Sequence, residues 1–155
     1  MKKVLYIDSD LCTGCLRCEL ACSFRHYEEF NPVKSRIRVA ALERRFFPMT
    51  CAMCDEAPCE ISCPAGAYYR DEKGNVMLDD SKCIGCRICM LACPFGAVSY
   101  LDGKVIKCDL CGYDPECVNI CPTEAIKFVD VSTAAHLERA KAAARTGRAV
   151  NEAVA

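Results

Sequence analysis

Residues 12–23 read CTGCLRCELACS, four cysteines at gaps of three, three and four, followed by a serine. The same spacing returns at 83–94 as CIGCRICMLACP, this time ending in proline. Two further runs, Cys51, Cys54, Cys59, Cys63 and Cys108, Cys111, Cys117, Cys121, keep the opening C-x2-C and the closing C-x3-C but widen the middle gap. All 16 cysteines of the 155-residue chain fall into these four groups, so one element is repeated four times. Three groups share a tail, CPAGAY at 63–68, CPFGAV at 93–98 and CPTEAI at 121–126, and the group that precedes Ser23 lacks it.

C-x2-C pairs also bind zinc, and four sites of four thiolates would consume every cysteine. Structural zinc sites, however, join two such pairs across a long loop, whereas here three cysteines crowd into seven to ten residues with a fourth close behind. A compact loop of three thiolates suits one face of a cubane cluster whose fourth ligand arrives from elsewhere. C-x2-C-x2-C-x3-C-P is the bacterial ferredoxin run, in which the fourth cysteine serves the other cluster of a pair. Gly14 and Gly85 let the loops wrap tightly enough to aim amide N–H groups at sulfur. Pro64, Pro94 and Pro122 turn the chain away just after the last cysteine.

Composition agrees with a metal-dependent fold. The apolar share of 52% counts the cysteines, and about 42% remains without them, a thin core for so short a chain. The N-terminal MKKVLYIDSDLC has only the apolar run VLYI before Asp8, so no export is expected and the location reads as cytoplasmic. That environment disfavours a disulfide framework. No window approaches 18 uninterrupted apolar residues, and no membrane span is expected. The formal charge of −1 treats thiols as neutral. Each oxidised 4Fe-4S core with four thiolates adds two negative charges, which brings the loaded chain to about −9. Nucleic acid is then a poor partner, despite Arg44-Arg45 and a basic tail. Lys34, Arg36 and Arg38 read as offsetting cluster charge, facing a partner, or lining one solvated strand edge.

Nothing in the chain supplies catalysis of its own. It has no G-x-G-x-x-G, no P-loop, and no C-x3-C-x2-C run that would leave an iron open. His26 and His136 are the only histidines, and each is expected at the solvated surface. A cubane closed by four thiolates has no free position for substrate, so its work is moving one electron.

Around the cysteines the pattern is of short elements. KVLYI at 3–7 reads as a strand, LRCELACSFRHY at 16–27 as a helix, and RIRVAAL at 36–42 as a half-buried strand. AYYRDEKGNVML at 67–78 and AVSYLDGKVIK at 97–107 read as hairpins turning at Lys73-Gly74-Asn75 and Asp102-Gly103, and AIKFVDV at 125–131 as a last strand. Ser23, in place of proline, lets the helix run on past Cys22.

The four cysteine groups resemble the bacterial ferredoxin with two 4Fe-4S clusters, duplicated, as in the four-cluster subunits of molybdenum and tungsten oxidoreductases. The resemblance implies an α+β fold in which one ferredoxin-like module (51–93) is inserted in another (1–50 and 94–131), with a helical extension at 132–155. It implies four 4Fe-4S clusters. Cys12, Cys15 and Cys18 would share one with Cys121, and Cys108, Cys111 and Cys117 one with Cys22. Cys51, Cys54 and Cys59 would take Cys93, and Cys83, Cys86 and Cys89 would take Cys63. A tandem arrangement, pairing groups one with two and three with four, remains the alternative; its second connection, 94–107, has only 14 residues against 19 at 64–82 for the nested one.

CELACSFRHYEEFNPVKSRIRV at 18–39 further resembles the small iron-sulfur subunits of tungsten-containing aldehyde oxidoreductases. Similar four-cluster chains serve formate dehydrogenases, carbon monoxide dehydrogenases and hydrogenases. By that resemblance the partners are a tungsten- or molybdenum-pterin catalytic subunit and a flavin NAD(P)H-type subunit or soluble acceptor. A free polyferredoxin is the other option. The tail VSTAAHLERAKAAARTGRAVNEAVA reads as a helix with Ser132 or Thr133 as N-cap and Gly147 as its stop. Leu137, Ala140 and Ala144 form a weak apolar stripe. The helix is therefore expected either to fray in solvent or to dock on a partner or a second copy of the chain.

Overall fold

The first strand of the chain finds its partner in the last. In the computed structural model, which describes the backbone of residues 1–154 and the side chains of residues 1–146, β1 (Lys3–Ile7) pairs antiparallel with β8 (Ile126–Asp130), Tyr6 opposite Lys127. Between them lie α1 (Arg17–Tyr27), the hairpin of β2 (Arg38–Leu42) and β3 (Arg45–Met49), and α2 (Pro58–Ile61). Two more hairpins follow, β4 (Tyr68–Arg70) with β5 (Val76–Leu78), and β6 (Val98–Leu101) with β7 (Lys104–Lys107). The single-turn helices α3 (Ile88–Ala92) and α4 (Glu116–Asn119) precede and follow the second of these. The chain closes with α5 (Val131–Val154).

Each hairpin follows from its turn chemistry. Asp102 and Gly103 both take positive φ, +47° and +88°, as a two-residue turn matched to strand twist requires. Gly74 sits at φ +80°, and its N–H donates to the Asp71 carbonyl. The β2–β3 hairpin is absent from the sequence reading. Its first strand starts at Arg38 rather than at 36, and RFFPM lacks alternation and carries Pro48, which only a two-stranded ribbon with a free edge tolerates.

Three small cores hold these elements together. One joins Ala57, Tyr68, Val76, Val98 and Val105 to cysteines of groups two and three. Another joins Ile37 and Ile126 to Cys18, Cys22 and Cys117, with Cys121 against it. Met53, Cys108 and Leu110 form the third, at the boundary between these two. Correspondingly, α1 packs on α4 and α2 on α3.

α5 leans on its own chain. It packs on β1 and β8, where Lys141 pairs with Asp8 and Asp10, and Arg145 reaches Asp10 at 3.1 Å. The helix begins at Val131, so Ser132 and Thr133 lie inside its first turn rather than capping it, and it continues through Gly147. Of the expected stripe only Leu137 is half-buried. Ala140 and Ala144 are exposed, and Ala134 and Lys141 complete the inward row at spacings of three and four. Among the described residues no helix is long and apolar enough to cross a membrane.

Candidate iron-sulfur sites

The third cysteine of every group sits on a helix and is buried: Cys18 on α1, Cys59 on α2, Cys89 on α3 and Cys117 on α4. The loop ahead of each helix must curl to bring the first two cysteines to the same point. It does so through left-handed residues, Gly14 and Leu16 in group one and Gly85 and Arg87 in group three. Gly14 and Gly85 are needed for room as well as for φ. A Cβ on Gly14 would meet the Phe46 ring of β3 at 2.5 Å, and one on Gly85 would lie 2.1 Å from the Gly103 carbonyl oxygen.

Four convergences of sulfur result. Cys12, Cys15, Cys18 and Cys121 line one cavity, covered by Val39 and Pro48 of the β2–β3 hairpin. Cys22, Cys108, Cys111 and Cys117 line a second, with Arg36, His26 and Asp109 at its side. A third is lined by Cys63, Cys83, Cys86 and Cys89 under Tyr68, Leu78 and Val105. In the fourth, Cys54 and Cys93 pack against the core that holds Cys59, and there burial first and then the neighbouring thiols of Cys51 and Cys93 push up the pKa values of both Cys54 and Cys59, the latter to about 11. All sixteen cysteines are unpaired, and only Cys15 and Cys86 are exposed.

Backbone amides point at the closing sulfurs. The Ala67 N–H donates to Cys63 Sγ at 3.4 Å and that of Ala97 to Cys93 Sγ at the same distance, each from the alanine of the shared tail. At Cys121 burial raises the thiol pKa, but amides of Ile126, Thr123 and Ala125 bring it below its usual value. Cys22 has no such tail. Its amide comes instead from Arg36, 14 residues on, at 3.3 Å. Ser23 arranges this: its buried hydroxyl donates to the Leu20 carbonyl at 2.9 Å and accepts from the Asn31 N–H at 3.1 Å, tying the 31–37 segment to α1.

His26 is not at the solvated surface, because the helix carried past Cys22 tucks its last turn against the second cavity. Its side chain is 11% exposed, with Nδ1 facing the Cys22 carbonyl at 2.8 Å and Nε2 facing Asp109 at 3.1 Å. Burial alone would lower its pKa; the bonds to Asp109 and Cys22 raise it to about 9. Arg36 joins the same acid at 2.5 Å, which separates it from Lys34 and Arg38. Those two do not share a solvated edge with it: Lys34 binds Glu29 and Arg38 binds the Val33 carbonyl. His136 is exposed, as read from the sequence.

These sites suit iron-sulfur clusters. Thiols are the donors common to all four, with His26 and Asp109 close to Cys111 at the second, and burial holds several of the thiols protonated, Cys18 and Cys108 at about 12, until a cation displaces the proton. Two buried donors that line cavities lack partners, the Tyr68 hydroxyl and Arg36 Nε. Anionic sulfur beside them would satisfy both.

Residues 42–131 match the 4Fe-4S dicluster domain and residues 5–24 the 4Fe-4S binding domain. The chain belongs to the 4Fe-4S dicluster family. Membership sets zinc aside and makes iron-sulfur the cofactor type. The polyferredoxin-like subunit of an aliphatic sulfonate oxidoreductase from Pyrococcus furiosus is 44% identical, spanning 81% of this chain and 76% of the relative. The thiosulfate reductase electron transfer subunit of Salmonella typhi is 41% identical over 81% of this chain and 74% of its own. Formate hydrogenlyase subunit 2 of Escherichia coli is 32% identical over 91% and 88%. A chain in a solved benzoyl coenzyme A reductase active-site complex aligns with 98% of this one at 25% identity and TM-score 0.49. Like its curated relatives, this 4Fe-4S dicluster protein is an electron-transfer component rather than a catalytic one.

Proposed function

We propose that the chain carries four 4Fe-4S clusters as a one-electron wire inside an oxidoreductase complex. One end faces a pterin-bearing catalytic subunit, a tungsten aldehyde oxidoreductase by the resemblance of residues 18–39, and the other a flavin subunit or soluble acceptor. The ligand sets are Cys12, Cys15, Cys18 with Cys121; Cys108, Cys111, Cys117 with Cys22; Cys51, Cys54, Cys59 with Cys93; and Cys83, Cys86, Cys89 with Cys63. The observation that carries this reading is that each cavity collects three cysteines of one group and the closing cysteine of another. The nested arrangement, 51–93 within 1–50 and 94–131, is supported by the β1–β8 pairing, which brings group one beside group four.

Bound there, each cluster supplies a site that accepts and returns a single electron. The protein's part is to bind, shield and tune. Thiolates fix the position, apolar walls such as Val39, Pro48, Leu78 and Val105 keep water out, and amides aimed at sulfur favour the more negative reduced form. Partner docking would fall near Cys15 and Cys86, the exposed thiols.

A second reading of the catalytic partner, an enzyme acting on a sulfur oxyacid, is favoured by the thiosulfate and sulfonate relatives. Anaerobic purification from native cells tests both. About sixteen irons per chain with tungsten in stoichiometric co-elution and aldehyde-dependent reduction of the clusters supports the first reading. Thiosulfate- or sulfonate-linked turnover supports the second, and iron for fewer than four clusters refutes the four-cluster wire.

A further inference from the structure

The β6–β7 hairpin ends in Lys107, a lysine only 2% exposed, directly before Cys108. Its ammonium is saturated with hydrogen-bond acceptors. Nζ donates to the Val76 carbonyl of β5 at 2.5 Å and to the Cys108 carbonyl at 2.9 Å, and lies 3.8 Å from Met53 Sδ. None of these carries a charge. Asp80 and Asp109 border a cavity with it, yet Asp109 is committed to Arg36 and His26, and among the described residues no carboxylate pairs with Lys107. A buried ammonium without a counter-ion is expensive, and the strand can leave one here only if negative charge arrives nearby.

That charge is available on two sides. Met53 Sδ, which touches the ammonium, is 3.9 Å from Cys51 Sγ, and Cys108 is the next residue. On the inserted side Cys59 shares a core with Val76, whose carbonyl accepts from the ammonium. Cys51 and Cys59 belong to one cysteine convergence and Cys108 to another. Lys107 therefore stands between the inserted and the outer module, beside the Met53, Cys108 and Leu110 core that joins residues of both.

We propose that Lys107 is the fixed countercharge of the two inner clusters, one held by Cys51, Cys54, Cys59 and Cys93 and the other by Cys22, Cys108, Cys111 and Cys117. Its role is to raise the reduction potential of both and so keep the step between modules level. The proposal rests on the four-cluster reading above. One electron leaves one side as the other side gains it, and a single cation between them stabilises the added charge wherever it resides.

The test is a mediated redox titration of the full anaerobic chain, followed by electron paramagnetic resonance, for wild type, K107M, K107Q and K107R. Removing the charge is expected to weaken reduction of two of the four clusters by about tenfold or more each, 59 mV per tenfold for one electron. The other two should move by less than about twofold, and K107R should track wild type. K107Q keeps a neutral N–H donor in place of the ammonium, so it is the variant read if K107M fails to hold iron. Four unchanged potentials in K107Q, or an equal shift of all four, overturn the proposal. Iron lost from both neutral variants but kept by K107R supports it, since charge is what K107R preserves; iron lost from all three overturns it. A wild-type chain holding fewer than four clusters overturns the reading beneath, independently of any variant.

Discussion

Ser23 and Glu124 show how much a single residue can carry in a repeated motif. Where three groups close with a proline, Ser23 continues α1 and pins Asn31. S23A should remove the tie from the Asn31 N–H to α1, leaving that amide only the Glu29 carbonyl at 3.1 Å, and lower unfolding stability by about 0.5–1.5 kcal/mol, whereas S23P, breaking the helix, should cost about 3 kcal/mol or more. Anaerobic thermal unfolding with chelator-driven iron release would check both; equal behaviour of S23A and wild type would remove the assigned role. Glu124 occupies the tail position held elsewhere by Gly66 and Gly96, and like them it takes a positive φ, +52°. E124G should therefore stabilise the chain by about 1 kcal/mol, read as a higher melting temperature. His26 was misread because its partner Asp109 is 83 residues away, and no local pattern announces such a bond. The serine, by contrast, was legible as an exception to a repeat.

At the scale of elements, the sequence was clearest where a strong local rule applied. Strand β1, helix α1, both glycine-turned hairpins and strand β8 lie within two residues of their expected bounds. The β2–β3 hairpin escaped because Pro48 and adjacent Phe46 and Phe47 hide the strand, and its purpose, covering Gly14 and the first sulfur cavity, is tertiary. For α5 the composition gave the helix but not its seat. Exposed Asp10 is held at a pKa of about 2 by hydrogen bonds from Arg145 and Lys141. A depressed carboxyl contributes its full share above the ordinary carboxylate range near 4 and loses it as pH falls toward 2. D10N should accordingly loosen the helix at neutral pH without releasing it, since Lys141 keeps its pair with Asp8. Tryptic cleavage after Lys141 and Arg145 should speed up in D10N and in molar salt, and unchanged cleavage would place the docking energy elsewhere.

Over the whole molecule, two halves are sewn together by a few polar threads. Tyr113, from the loop after Cys111, donates to Asp71 and accepts from the buried Asn75 Nδ2 at 2.7 Å, while Lys73 lies over its ring at 3.4 Å. Y113F should weaken the junction by about 1–3 kcal/mol and lower the cooperativity of unfolding, seen by calorimetry as a broadened or split transition. A sharper single transition would argue against it. The cysteine repeat disclosed the number of sulfur groups at once. How the groups interleave depends on contacts such as Asn75 to Tyr113 and β1 to β8, which join residues 38 to more than 120 positions apart and leave no periodicity to read.

The pairing of Tyr6 with Lys127 also sets a schedule for biosynthesis. On the ribosome, Cys12, Cys15 and Cys18 emerge first yet wait for Cys121, the thiol that shares their cavity, to be translated, an interval on the order of ten seconds. In the proposed pairing, residues 51–93 already contain two complete sulfur sets by then. The middle of the chain can receive its metal while the beginning is still open, so oxygen or a competing metal ion reaching the nascent polypeptide should damage the earliest cysteines most.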